Sequence, residues 1–180
     1  MSKQIRSPFI KAADYPEPLI AAMTAVMPFP KTYRQPKEKF VRGFCTSVSQ
    51  DLGGKHRLLT ELPHMAPFQL ELLIRVWREE EEKFTLLFAN NWGDGVVLVS
   101  RSWLSNSLLA THLGARWSPR MEAFAMRNFV RNHYARKGRR ALLKAALVKT
   151  RSAQAEHVFG RALMSDSGAS PGETEGPFRI

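Results

Sequence analysis

The residue types that could do chemistry in this chain are mostly cationic, and the chemistry they suit is phosphate contact. Between Arg116 and Arg161 stand twelve Lys and Arg against two acids, Glu122 and Glu156, so this stretch holds ten of the eleven net positive charges. Read at helical periodicity, Arg120, Arg127 and Arg131 gather on one side, with Asn128 and Asn132 alongside. Arg136, Lys137, Arg139 and Arg140 follow in the sequence ARKGRR, and Lys144 and Arg151 continue the series. Arginine forks onto phosphate or guanine, and asparagine can pair with adenine edges. A charged helical face is often only a solvated face. Here the acids that would normally balance it are nearly absent, which favours a polyanion-binding footprint.

A second group is Gly53-Gly54-Lys55-His56-Arg57, in which Gly54, Lys55, His56 and Arg57 form a possible phosphate loop. Glycines beside Lys, His and Arg can expose backbone N–H groups to an anion. Over residues 54 to 57 the motif resembles the Gly-x-His-Arg signature of the ParB/sulfiredoxin group of nucleotide-handling folds. That family opens a helix with the motif. Here it is expected to follow a helix end and lead towards Pro63, so a glycine pair that ends a helix, then a basic loop, is the preferred reading.

Other chemistry is poorly supported. The sequence contains no Walker A loop, no GxGxxG and no HExxH, so no cofactor is expected. Five histidines (56, 64, 112, 133 and 157) and Cys45 lack metal-ligand spacing, and no metal site is expected. A metal-dependent nuclease would need convergent carboxylates, whereas Glu71, Asp94 and Asp51 each have an ordinary local explanation. No catalytic residue is assigned. Trp92, in an exposed turn, could stack on a base.

The elements that must position these residues read as an α+β fold. Leu19, Ile20, Met23, Val26 and Met27 predict a helix near 16–27, stopped by Pro28 and Pro30. Phe40, Val41, Phe44, Cys45, Val48 and Leu52 predict a second near 37–52, with Gly53 and Gly54 as its left-handed cap. Phe68, Leu70, Leu72, Ile74 and Val76 alternate with Gln69, Glu71 and Arg75, the two-residue period of a strand. Strands near 68–78, 83–90 and 95–100 would form a three-stranded antiparallel meander, turning at Glu79–Glu82 and at Asn90-Asn91-Trp92-Gly93-Asp94-Gly95. The N-terminal helices would pack on that sheet, and a helix near 103–113 would end at Gly114. Residues 116–164 form a basic helical unit opened by Ser118-Pro119 and packed on the 1–115 core. Residues 165–180 are small, polar and rich in Gly and Pro, and are read as a disordered tail.

A chain of 180 residues with 44% hydrophobic content can bury a sizeable core as one domain. One cysteine excludes an intrachain disulfide and fits a reducing compartment. With no signal-like N-terminus and no apolar run long enough to span a bilayer, a cytoplasmic protein is expected. The functional expectation is a nucleic-acid-binding accessory or regulatory protein of a bacterial genetic element, contacting DNA or RNA through phosphates. The alternatives are an adaptor or inhibitor docking on an acidic protein partner, and a small nuclease or nucleotide-handling enzyme using Gly53–Arg57.

Overall fold

A computed structural model of the chain describes residues 15–133, together with residues 12, 141 and 145. Within them lie six α-helices and no strand: α1 (Glu17–Val26), α2 (Lys37–Thr46), α3 (Leu52–Glu61), α4 (Pro67–Leu87), α5 (Trp92–His112) and α6 (Pro119–His133). The described part is all-α, so the expected meander is not formed.

The strands expected at 68–78 and 83–90 are one continuous helix, α4, and the strand at 95–100 is the first half of α5. The alternation in Phe68–Val76 coincided with a helical repeat. Leu70 and Trp77 are buried, and Leu73 and Ile74 pack partly against the same core, which is the i, i+3, i+4, i+7 stripe of an amphipathic helix. Phe68, Leu72 and Val76, expected on the buried face of a strand, are instead exposed at 68%, 51% and 48%. Glu79–Glu82 lies within α4, where Glu is a good helix former. Pro67 suits the first turn of that helix, and the Gln69 side chain reaches back to accept from the Ala66 N–H at 2.7 Å.

The helix expected over 37–52 ends early. Its last residue, Thr46, bonds back to the Arg42 and Gly43 carbonyls at 3.0 and 3.2 Å, and Ser47 turns extended. Asp51 then opens α3 by accepting the Gly54 N–H at 2.8 Å. Gly53 and Gly54 therefore sit in the first turn of a helix and do not cap the end of one. The break is held from α4. Glu80 accepts from the Val48 and Ser49 amides at 2.7 and 3.1 Å, and from the Ser49 and Ser47 hydroxyls at 2.6 and 3.1 Å.

Other boundaries follow local punctuation. Pro28 forces Met27 into an extended conformation and ends α1. Gly114, at φ 76°, closes α5 with the paired Ala115→Ala110 and Gly114→Thr111 backbone bonds of a Schellman turn. Ser118 caps α6, its hydroxyl accepting from the Met121 N–H at 3.2 Å.

The core sits between α1, α2, α4 and α5. Phe29, Phe40, Phe44 and Trp77 form an aromatic run, with Phe40 and Trp77 edge-to-face at 5.0 Å. Gly43 lets α2 approach α4 closely, since a Cβ there would lie 2.6 Å from a Trp77 ring carbon. Residues Ser102 to Ser107 of α5 are all buried, so this helix is enclosed by its neighbours along that stretch. Among the described residues, no helix is long and apolar enough to cross a membrane.

Candidate polyanion-binding surface and neighbouring sites

The basic stretch begins at a well-built corner. The buried Trp117 donates its indole N–H to Ser107 Oγ at 2.9 Å, tying the start of the stretch to α5. Gly114 and Ser118 set the direction of α6, which packs against α1. Ala125 is buried at 3% exposure, and Arg120 and Arg127 lie on the opposite side of the helix, exposed. Arg116 is also exposed, and Asn128 is half-buried. Ala123 is exposed, and Ala125 is on the packing side. Arg131 and Asn132 fall in the last turn of α6. Arg136, Lys137, Arg139, Arg140, Lys144 and Arg151 lie outside the described residues, as do the ARKGRR turn and the 165–180 tail.

The Gly53–Arg57 group is not a loop. It is the first half of α3, and its residues part company. The Gly54 amide is already engaged by Asp51, whose carboxylate at the helix start disfavours a second anion. Arg57 is exposed, His56 lies with its ring centroid 5.4 Å from that of His112, and Lys55 is fully buried. The motif does open a helix, as in the family it resembles. The all-helical fold around it gives that likeness no further support.

Lys55 organises a polar centre in the core. Its Nζ donates to Asn106 Oδ1 at 2.9 Å and to Ser102 Oγ at 3.1 Å, and lies 5.2 Å from the Phe44 ring centre. Among the described residues, no carboxylate pairs with it. Asn106 donates in turn to the Tyr15 hydroxyl and the Cys45 carbonyl at 2.8 and 2.7 Å. The Ser102 hydroxyl points at the Cys45 and Ser47 carbonyls, both at 2.9 Å. Burial of the charge, only partly offset by Cys45 and Glu80, pulls the Lys55 ammonium down to about 8, and burial pushes the Cys45 thiol up to about 12. The cavity beside Tyr15, Cys45 and Ser102 holds only about 20 Å³. A water fits there and a substrate does not, so the centre is a satisfied internal network.

A further concentration of cations was not legible in the sequence. Lys39 of α2 and Arg75 and Arg78 of α4 line a cavity of about 290 Å³ together with Tyr33 and Glu71. Tyr33 is only 4% exposed and stacks on Phe29 at 5.6 Å, yet its hydroxyl has no hydrogen-bond partner among the described residues. Leaving a buried hydroxyl unsatisfied costs about 1–3 kcal/mol. A groove of about 520 Å³ shares Lys39, Ile74 and Arg78 with this cavity and extends it past Arg42 and Gly43. Arg42 is already engaged, paired with Glu17 and donating to the Ala12 carbonyl at 3.3 Å. Lys39 stands 36 residues before Arg75, so no local signal announced that it would meet the two arginines.

Among the described residues, no group of three His, Cys, Asp or Glu could hold a metal ion. No protein-family model matches the chain, and no curated protein or solved structure is similar to it.

Proposed function

We propose that the chain is a nucleic-acid-binding accessory or regulatory protein that contacts phosphate backbones through the basic stretch beginning at Arg116. One observation carries this reading: ten of the eleven net positive charges fall between Arg116 and Arg161. The geometry of α6 is compatible with it, because Arg120 and Arg127 face solvent opposite the buried Ala125. Sequence-independent contact suits the composition better than base readout, since the segment beyond Arg139 is rich in Ala and Leu and poor in residues that read base edges.

The test is a salt titration. Binding to duplex and single-stranded oligonucleotides, followed by fluorescence anisotropy, should weaken linearly in log K against log salt. Weak binding that ignores salt would remove phosphate contact as the explanation.

A second reading has its own support. Phe124 and Met121 of α6 are 55% and 38% exposed, and large apolar side chains beside arginines also suit an acidic protein partner. Salt-insensitive capture of nucleic acid together with tight binding of an acidic polypeptide would favour it.

A further inference from the structure

We propose that the cavity between α2 and α4, lined by Tyr33, Lys39, Arg75 and Arg78, is a binding site for a phosphate monoester. It is built on different elements from the basic stretch and does not depend on the reading given to that stretch.

The first support is charge. Lys39, Arg75 and Arg78 meet one carboxylate, Glu71, so the cavity carries two net positive charges, matching a phosphate dianion. None of the three cations has an ion pair or side-chain hydrogen bond among the described residues. Arg75 and Arg78 are three residues apart on one helix, which makes them neighbours on its surface. Such forks fit phosphate oxygens in pairs. Lys39 faces them from α2.

The second support is the orphaned hydroxyl. Tyr33 is held by its stack on Phe29 and lines the cavity, and its buried hydroxyl beside that lining is a donor without an acceptor among the described residues. A buried phenol without a partner in a cationic cavity is a donor placed for an external acceptor. Burial first, and the nearby Glu71 second, hold its pKa above the ordinary tyrosine value, so it remains a donor at neutral pH.

The third support is rigidity and room. The tight α2–α4 contact at Gly43 and Trp77 fixes the separation of the two helix backbones that carry the lysine and the arginines. The adjoining groove leaves space for an organic body attached to the phosphate, with Ile74 as an apolar wall shared by both. A phosphate monoester of that kind is a mononucleotide or the 5′-phosphate at the end of a strand.

The experiment is calorimetric titration of the full chain with inorganic phosphate, a 5′-mononucleotide and the corresponding nucleoside. Phosphate and mononucleotide should bind, and the nucleoside should not. Arg75→Gln with Arg78→Gln should weaken binding at least ten-fold. Tyr33→Phe should weaken it several-fold while leaving the melting temperature unchanged or higher, because the lost hydroxyl had no partner. Arg120→Ala with Arg127→Ala should leave the mononucleotide titration unchanged, even where it reduces nucleic-acid binding. A 5′-phosphate that tightens oligonucleotide binding in the wild type, but not in Tyr33→Phe, would identify a strand end as the source. Saturation by the mononucleotide with no effect of a 5′-phosphate on the oligonucleotide would identify the free nucleotide. Absence of phosphate and mononucleotide binding, or wild-type titrations from the Arg75/Arg78 and Tyr33 variants, would overturn the site.

Discussion

Lys55 Nζ lies 2.9 Å from Asn106 Oδ1 in the middle of the protein, a charged donor met by a neutral acceptor with no carboxylate paired to it among the described residues. Ser102 and the Phe44 ring complete its surroundings. An ammonium ion buried on these terms is poised close to neutrality, and it makes the stability of the fold depend on alkaline pH.

The sign of that dependence is determined. Lys55 loses its proton near pH 8 in the folded state and near 10.5 when unfolded, so between those values the unfolded chain binds more protons and stability rises with pH. Cys45 works the other way. Its thiol stays protonated to about pH 12 when folded but ionises near 9 when unfolded, and stability falls above that point. Tyr15, also raised by burial, adds to the fall at higher pH. Denaturant unfolding across pH 7 to 11 should therefore show a maximum between about pH 9 and 10. Lys55→Met should abolish the rising limb, and Cys45→Ala should soften the falling one. A flat profile for the wild type would contradict the burial of Lys55.

Gly43→Ala should destabilise the fold by about 1–3 kcal/mol through overpacking. The new methyl would meet the Trp77 ring at 2.6 Å, and Trp77 is itself buried. Thermal unfolding would register the loss. An unchanged melting temperature would mean that α2 and α4 can separate without cost.

Glu80→Ala should free the Ser47–Ser49 segment. It removes the acceptor of two backbone amides and two hydroxyls; the Ser49 donors are exposed and turn to water, whereas the Ser47 hydroxyl and the half-buried Val48 amide are left unmet at a cost on the order of 1 kcal/mol or more. Amide exchange at Val48 and Ser49 should accelerate more than at residues inside α2. Equal acceleration throughout would indicate global loss of stability rather than loss of this clamp.

Arg120→Ala with Arg127→Ala should lower the dependence of log K on log salt by about two duplex phosphate contacts' worth, roughly 1.8 in slope. The helix should persist, because both side chains are exposed and Ala is a strong helix former. Circular dichroism checks the fold and anisotropy checks the slope. Unaltered salt dependence would assign the phosphate contacts to other residues.

Three element boundaries are legible in the sequence because one residue sets each by itself. Pro28 ends α1, Gly114 ends α5 and Ser118 opens α6, because each depends on its own backbone geometry or side-chain oxygen. The apolar residues of Phe68–Val76 were read with the wrong period. Alternation and helical recurrence select overlapping positions over so short a run, and only packing decided that Leu70 and Trp77 turn inwards while Phe68, Leu72 and Val76 stay outside. The candidate sites divide the same way. The charge block from Arg116 is a property of composition, countable without a fold. The meeting of Lys39, Arg75 and Arg78 around Tyr33, and the withdrawal of Lys55 from a supposed loop into the core, exist only once α2, α3, α4 and α5 are packed together. Sequence by itself determined the sign and place of the charge. Tertiary structure decided which cations face solvent and which is buried, because burial and convergence belong to contacts between distant residues and not to any residue alone.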